Sequence, residues 1–302
     1  MSLALLLVAS IAAAAPVPAA PTAPAHSREY WREIVKHEFA VPAGESPFVL
    51  LRELSGYFSS PDPELRDELA AGIAEQWIFE QKLLAPAELR ELLTAWTANL
   101  KVGLGESGTD SVLLRSFSAL GLSNIAAVET QKPFLTAAEF ESLLNATLDY
   151  LNGEKDVRGY DLQKGWIHSA AHTADILTSL GRSRYLKPAD QGRILTAIGR
   201  KMDNPDGVFT HGEESQLAEA TLSLVRRPDF DGAAFAAMTD GFLQEAKPLW
   251  QGRLDPRRFA AVENSKHFLR SLYVQLAMVA AAKPSPALAP TQAKILACLP
   301  AM

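Results

Sequence analysis

From Arg28 onward the apolar residues of this chain recur at spacings of three and four, and no stretch of strict alternation interrupts them. That periodicity draws one apolar stripe along each helix and leaves no half-buried strand, so the expected fold class is all-α. Helix punctuation agrees. Pro61-Asp62-Pro63 supplies a preset dihedral and an acidic first turn for a helix running to about Lys82. Pro86 opens the next, whose apolar face carries Leu89, Leu92, Leu93, Trp96 and Leu100, and which ends at Gly103 and Gly105. The same starts and stops predict further pairs: about Thr109 to Val128 with Thr136 to Leu151, and Asp161 to Leu180 with Pro188 to Met202. Glu213 to Val225 then pairs with Asp231 to Ala246, and Pro256 to Ala281 with a short helix near Thr291 to Leu299.

The first members of these pairs begin near residues 63, 109, 161, 213 and 256, close to the period of about 40–47 residues of HEAT and armadillo units. No pair covers its own apolar face. Antiparallel helix pairs stacked as a HEAT/armadillo-like α-solenoid, one repeat domain over residues 27–302, are therefore expected, with an irregular helical bundle as the rival of equal helix count.

Composition sets the remaining bounds. With 302 residues, 48% of them hydrophobic, the chain can bury a full core. Cys298 is the single cysteine, so no internal disulfide or multi-thiol zinc cage is available. Twenty-nine Lys and Arg against 35 Asp and Glu leave a net charge of −6, which gives no basic field for a phosphate backbone and excludes nucleic acid as an expected partner. Leu3 to Ala15 form an apolar run of signal-peptide length, short of the roughly 20 residues that span a bilayer. Pro16, Pro18, Pro21 and Pro24 follow it. Residues 1–22 thus read as a signal peptide and the start of a proline- and alanine-rich linker. The mature chain is expected to be exported, periplasmic or secreted, without a transmembrane segment.

One segment departs from the leucine and alanine background. Residues 154–175 hold acids, bases, a tryptophan and two of the six histidines. On a helix over this region, Ala170, Ala171, Ala174 and Leu177 make the core stripe, and His168, His172 and Asp175 make one polar patch along its flank. Two imidazoles one turn apart, with Asp175 or Glu213 as a further group, are chemically sufficient to hold a divalent metal. The pair lacks the glutamate that follows the first histidine in helical zinc proteases. The alternative is structural: histidines at a buried edge that hydrogen-bond and dock the helix. Arg158 between Gly159 and Glu154 or Asp156 reads as a loop anchor, and Trp166 as a helix-border ring that packs. Arg115, with Ser116 and Ser118 inside an apolar helix, invites an internal ion pair or a pocket contact. Glu213 and Glu214 after His211 either cap the next helix or complete a metal site.

The run Arg158-Gly159-Tyr160-Asp161, followed by Lys164-Gly165-Trp166-Ile167-His168-Ser169-Ala170-Ala171-His172-Thr173-Ala174-Asp175, resembles the signature of the bacterial family called domain of unknown function 2785. Asp110-Ser111-Val112, Arg115 to Leu120, Glu213 to Ala218 and Phe268 to Tyr273 are similar to other blocks of that family. The resemblance runs from about Trp31 to Leu276 and implies an all-helical domain, without implying a reaction. Ser215-Gln216 stand where the family pattern is acidic then basic, and the leader is an addition to its usual form.

Two functions follow as expectations. One is a binding or scaffold module for a peptide, glycan or protein ligand, using a pocket of Arg158, Tyr160, Asp161, Lys164, Trp166, His168, His172, Asp175 and Arg115. The other is a metal-dependent hydrolase built on His168, His172 and Asp175, with Glu213. Beyond that possible divalent metal, no cofactor is indicated.

Overall fold

A computed structural model of the chain describes residues 26–203, 207–249 and 251–302. The signal-peptide expectation for residues 1–22 lies outside them. The described residues are all-α apart from one two-stranded ribbon. In chain order the helices are α1 (Arg28–Lys36), α2 (Pro47–Leu54), α3 (Glu64–Ala71, Gly72–Glu75 and Gln76–Glu80), α4 (Pro86–Asn99), α5 (Ser111–Gln131) and α6 (Ala137–Gly153). After the ribbon, β1 (Tyr160–Asp161) and β2 (Gly165–Trp166), come α7 (Ser169–Gly181), α8 (Pro188–Met202), α9 (Glu213–Val225), α10 (Gly232–Ala246), α11 (Pro256–Ala282) and α12 (Ala289–Cys298).

Local chemistry accounts for the starts. Pro47, Pro86, Pro188 and Pro256 occupy first-turn positions, where their missing N–H costs nothing. At α6, Thr136 and Glu139 exchange hydrogen bonds as a capping box, Glu139 N–H to Thr136 Oγ1 at 3.2 Å and Thr136 N–H to Glu139 Oε2 at 2.7 Å. The helix expected from Pro63 to Lys82 forms, but its two end segments are wound as π-helix, a geometry that widens each turn.

The predicted helix Asp161–Leu180 is corrected: α7 begins only at Ser169. His168 sits at its N-cap in the left-handed region, φ 48° and ψ 32°, which stops the helix from extending back toward the ribbon. Residues 160–166 instead form a hairpin, with Tyr160 opposite Trp166 and Asp161 opposite Gly165. Asp161 closes its turn, its Oδ1 accepting the N–H groups of Gln163 and Lys164 at 2.8 and 2.9 Å.

The closest helix packing runs α5 to α7 to α9 to α11, while α6, α8, α10 and α12 pack on one another in turn. Small residues permit the first series. A Cβ built on Gly181 of α7 would lie 2.0 Å from Ser223 Oγ of α9, and one on Gly121 of α5 would lie 2.6 Å from the Trp96 ring of α4. Helix α5 is apolar and long enough to cross a membrane, yet it lies inside the protein, with Val112, Leu113, Ala119, Leu122 and Ile125 fully buried. Gly121→Ala is expected to lower unfolding stability by about 1–3 kcal/mol, because the rigid indole cannot retreat from the added methyl. Urea unfolding checks this. The helix-propensity gain of about 1 kcal/mol acts in the opposite sense, so an unchanged or raised midpoint refutes the packing argument.

Candidate functional site

The ribbon and the N-termini of α5, α7 and α9 meet at one end of the molecule. Their connecting loop is held by buried charge. Arg115 of α5, fully buried, donates to Glu154 through Nε (2.6 Å) and Nη2 (3.1 Å), and through Nη1 to the carbonyls of Val102 and Gly103. This is the internal ion pair its sequence context invites. Lys201 Nζ donates to the Glu154 carbonyl at 2.6 Å. Two residues on, Asp156 takes the Arg158 guanidinium and the N–H groups of Gly108 and Arg158. Burial opposes its ionised form, but these donors hold the carboxyl below its ordinary range. Arg158 therefore pairs with Asp156, and Glu154 belongs to Arg115.

A second strut comes from α3. The fully buried Arg66 guanidinium lies over the Phe117 ring, 4.7 Å from its centroid. It donates to the carbonyls of Ser60 (2.7 Å), Trp166 (3.0 Å) and Lys164. Its neighbour Asp67 accepts the Trp166 N–H at 3.2 Å. The turn and second strand of the ribbon are thereby tied to α3. Gly165, at φ +71°, is required where it stands, since a Cβ there would lie 2.7 Å from Asp67 Oδ2 and from Pro63 Cβ.

On this base stands an aromatic stack. Trp166 is 40% exposed, so it does not pack inward as a helix-border indole. Its ring stacks on His168 (centroids 4.6 Å, 26°) and meets Tyr160 edge-on at 5.0 Å. His168 Nε2 donates to the His211 carbonyl at 3.0 Å and lies 3.7 Å from Glu213 Oε1. Burial lowers the His168 pKa against the opposing pull of Glu213. Glu213 is itself buried, with Oε2 accepting the His211 N–H at 2.9 Å and Oε1 lacking a hydrogen bond. Gly159 admits this contact, because a Cβ on it would fall 2.3 Å from Glu213 Oε1.

His172 meets His168 edge-on with centroids 5.7 Å apart and directs its Nδ1 toward α5. Its Nδ1 lies 2.9 Å from Ser116 Oγ and 3.2 Å from the Ser116 carbonyl. Ser116 Oγ gives its own hydrogen to the Ile167 carbonyl, so Nδ1 must carry the proton in these contacts, and Nε2 is left as a bare acceptor. Burial lowers the His172 pKa to about 3, keeping the ring neutral. Asp175 is separate again: burial, with Glu219 of α9 adding to it, raises its pKa to about 7.

The expected polar patch is divided only in part, since the His168 and His172 rings stay in edge contact with centroids 5.7 Å apart, and the metal set is corrected. His168 Nε2 is spent on the His211 carbonyl, and Asp175 feels the Glu219 charge. Among the described residues no group of three His, Cys, Asp or Glu side chains is placed to hold a metal ion. The wheel that grouped His168, His172 and Asp175 fails because His168 is outside the helix. Four other predicted pocket residues are struts: Arg115 and Arg158 as above, Asp161 in the hairpin turn, and Lys164 paired with Asp110 at 2.5 Å. Tyr160, Trp166 and His168 are brought together, while His172 lines a cleft of about 170 Å³ with Asp67, Ala71, Gly72, Glu75, Phe117, Leu120 and Trp166. Asp67, Glu75 and Arg66 escaped sequence reading, since an acidic and basic run after Pro63 has the look of a solvated helix face. A wider groove of about 790 Å³ crosses α6, α8 and α10 and contains none of the predicted residues.

Fold and site together define an all-helical protein with an aromatic cluster on an anchored hairpin at the ends of parallel helices. The family described as protein of unknown function (DUF2785) matches residues 100–274, more than half of the chain, and the chain belongs to that family. No curated protein and no solved structure matches it.

Asp175 gives a measurable pH signature. Folded, it keeps its proton up to about pH 7; unfolded, it releases it near 3.8. The folded chain binds more protons between these values, so this group costs stability as pH rises through that window. Asp175→Asn is expected to raise the melting temperature at pH 8 and leave it nearly unchanged at pH 4. The opposite slope from neutral His172 is common to both proteins and cancels in the difference.

Proposed function

We propose that this protein is a binding module whose ligand, a peptide, glycan or segment of a partner protein, seats on Tyr160, Trp166 and His168. The half-exposed Trp166 ring carries the reading. A large aromatic surface facing water on a hairpin tied down by Arg66 and Asp67 is costly to maintain for packing alone. It suits recognition, because a rigid aromatic loses little conformational entropy on binding. The surrounding charges are consumed in holding the loop, which favours presenting a surface over running a reaction.

The wider frame we infer is a HEAT- or armadillo-like α-solenoid, supported by the repeat spacing and by the two helix series. Export to the periplasm or medium is part of the same reading and rests on the apolar run Leu3 to Ala15. The net charge of −6 speaks against a nucleic-acid ligand.

Glycan and peptide arrays probed with the wild-type chain and with a Tyr160→Ala, Trp166→Ala double variant test the proposal. At least one ligand is expected to bind the wild type and lose about tenfold or more in the variant, as for truncated aromatic hot spots. Circular dichroism melting should stay within a few degrees. A folded variant that keeps every wild-type ligand refutes the assignment of this surface.

A further inference from the structure

The cleft beneath Trp166 has a chemical bias of its own. Its walls are the Phe117, Trp166 and Leu120 side chains, and besides the Trp166 indole N–H its polar side chains are Asp67, Glu75 and His172. His172, more than nine-tenths buried, has its Nδ1 proton committed to Ser116, and its Nε2 has no hydrogen-bond partner among the described residues. Asp67 Oδ1 is buried 2.7 Å from Arg66 Nη2, yet makes no aligned hydrogen bond. Glu75 stands exposed at the rim. Arg66 balances one of the two carboxylates and is sealed beneath the ribbon, so the lining keeps one uncompensated negative charge. A cavity of about 170 Å³ with an acceptor floor, an acidic rim and aromatic walls suits a compact organic cation on an apolar stem.

Deepening the binding-module reading and resting on it, we propose that this cleft takes the ammonium end of a primary alkylamine, as in a free polyamine or a lysine side chain. The ammonium donates to His172 Nε2 and to the carboxylates of Asp67 and Glu75, and the methylene stem lies against Phe117, Leu120 and Trp166. An ammonium has three donors and no acceptor, the complement of this lining. A carboxylate ligand would meet the like charge of Asp67 and Glu75 and the His172 lone pair.

The full-length chain is titrated at pH 7 with n-pentylamine, n-pentanol and pentanoate, following the Trp166 indole N–H by nuclear magnetic resonance, with assignment by Trp166→Phe. Pentylamine is expected to shift that resonance saturably and to bind roughly tenfold more tightly than pentanol, the scale of a charge-assisted hydrogen bond. Pentanoate is expected to be the weakest. Glu75→Gln, exposed and safe for folding, should weaken the amine severalfold and leave pentanol unchanged. Asp67→Asn should do the same if the hairpin keeps its melting behaviour. Two further arms separate the sources: 1,5-diaminopentane for a free amine, and N-acetyl-lysine methylamide for a peptide-borne one, with binding of either supporting the site. Pentanol matching pentylamine, or an unchanged amine affinity in Glu75→Gln, overturns the cation assignment but leaves an apolar binding site standing. An unmoved Trp166 resonance with all three probes overturns the cleft as a site, while the array screen of Tyr160 and Trp166 judges the module independently.

Discussion

Arg66 is the residue on which the candidate site depends. A fully buried guanidinium needs acceptors, and here Nη1 and Nη2 reach the carbonyls of Ser60, Lys164 and Trp166 with Asp67 alongside, while Nε makes no hydrogen bond. Those partners are separated by about a hundred residues of chain, so satisfying one charge fixes the position of the hairpin on α3. Removing Arg66 would strand three carbonyls and an acid, and would loosen the strand that carries Trp166. Desolvation lowers the Arg66 pKa, and the adjacent Asp67 carboxylate opposes that shift.

Close packing of parallel helices governs the same end of the molecule. With α5, α7 and α9 side by side, their positive dipole ends lie together. Asp110, Asp156 and Glu213 are gathered there, two of them buried, and each serves the loop or a helix start. The carboxylates of Glu154 and Asp156 are answered by arginines, Asp161 by its turn amides, and Glu213 at one oxygen by the His211 N–H. The acids of α3 differ: Asp67 lies in its π-wound first segment and Glu75 at the end of its α-helical middle segment, and both line the cleft with an imidazole that burial keeps neutral.

Much of the fold was legible because helices announce themselves locally. Proline at first-turn positions and the apolar stripe of α4 are signals carried within a few residues. The central segment stood out because its mixture of Trp, His, Gly and charge breaks the surrounding pattern. The side-chain directions inside it were not legible. A helical wheel assumes a helix, and the left-handed turn at His168 is imposed by tertiary contacts: the carbonyl of His211, the Glu213 carboxylate and the close approach that Gly159 allows. Arg66 and Asp67 gave no signal, because their partners lie at residues 164 and 166. Only the folded chain makes that juxtaposition.

The two histidines show how one motif yields unlike groups. His168 is an N-cap residue whose ring is shared between the Trp166 face and a protein carbonyl, so its donor is spent within the structure. His172, four residues later, spends its donor on Ser116 and keeps an acceptor in the cleft. A pair joined by one metal would have needed both rings to aim lone pairs at a common point. His168 does not, because its Nε2 donates to the His211 carbonyl, whereas Ser116, by donating to Ile167, fixes the proton on His172 Nδ1 and leaves Nε2 its lone pair. The hydrogen-bond directions across α5 and α7 thus give two neighbouring rings unlike roles, His168 stacked on Trp166 and His172 with its Nε2 lone pair left open.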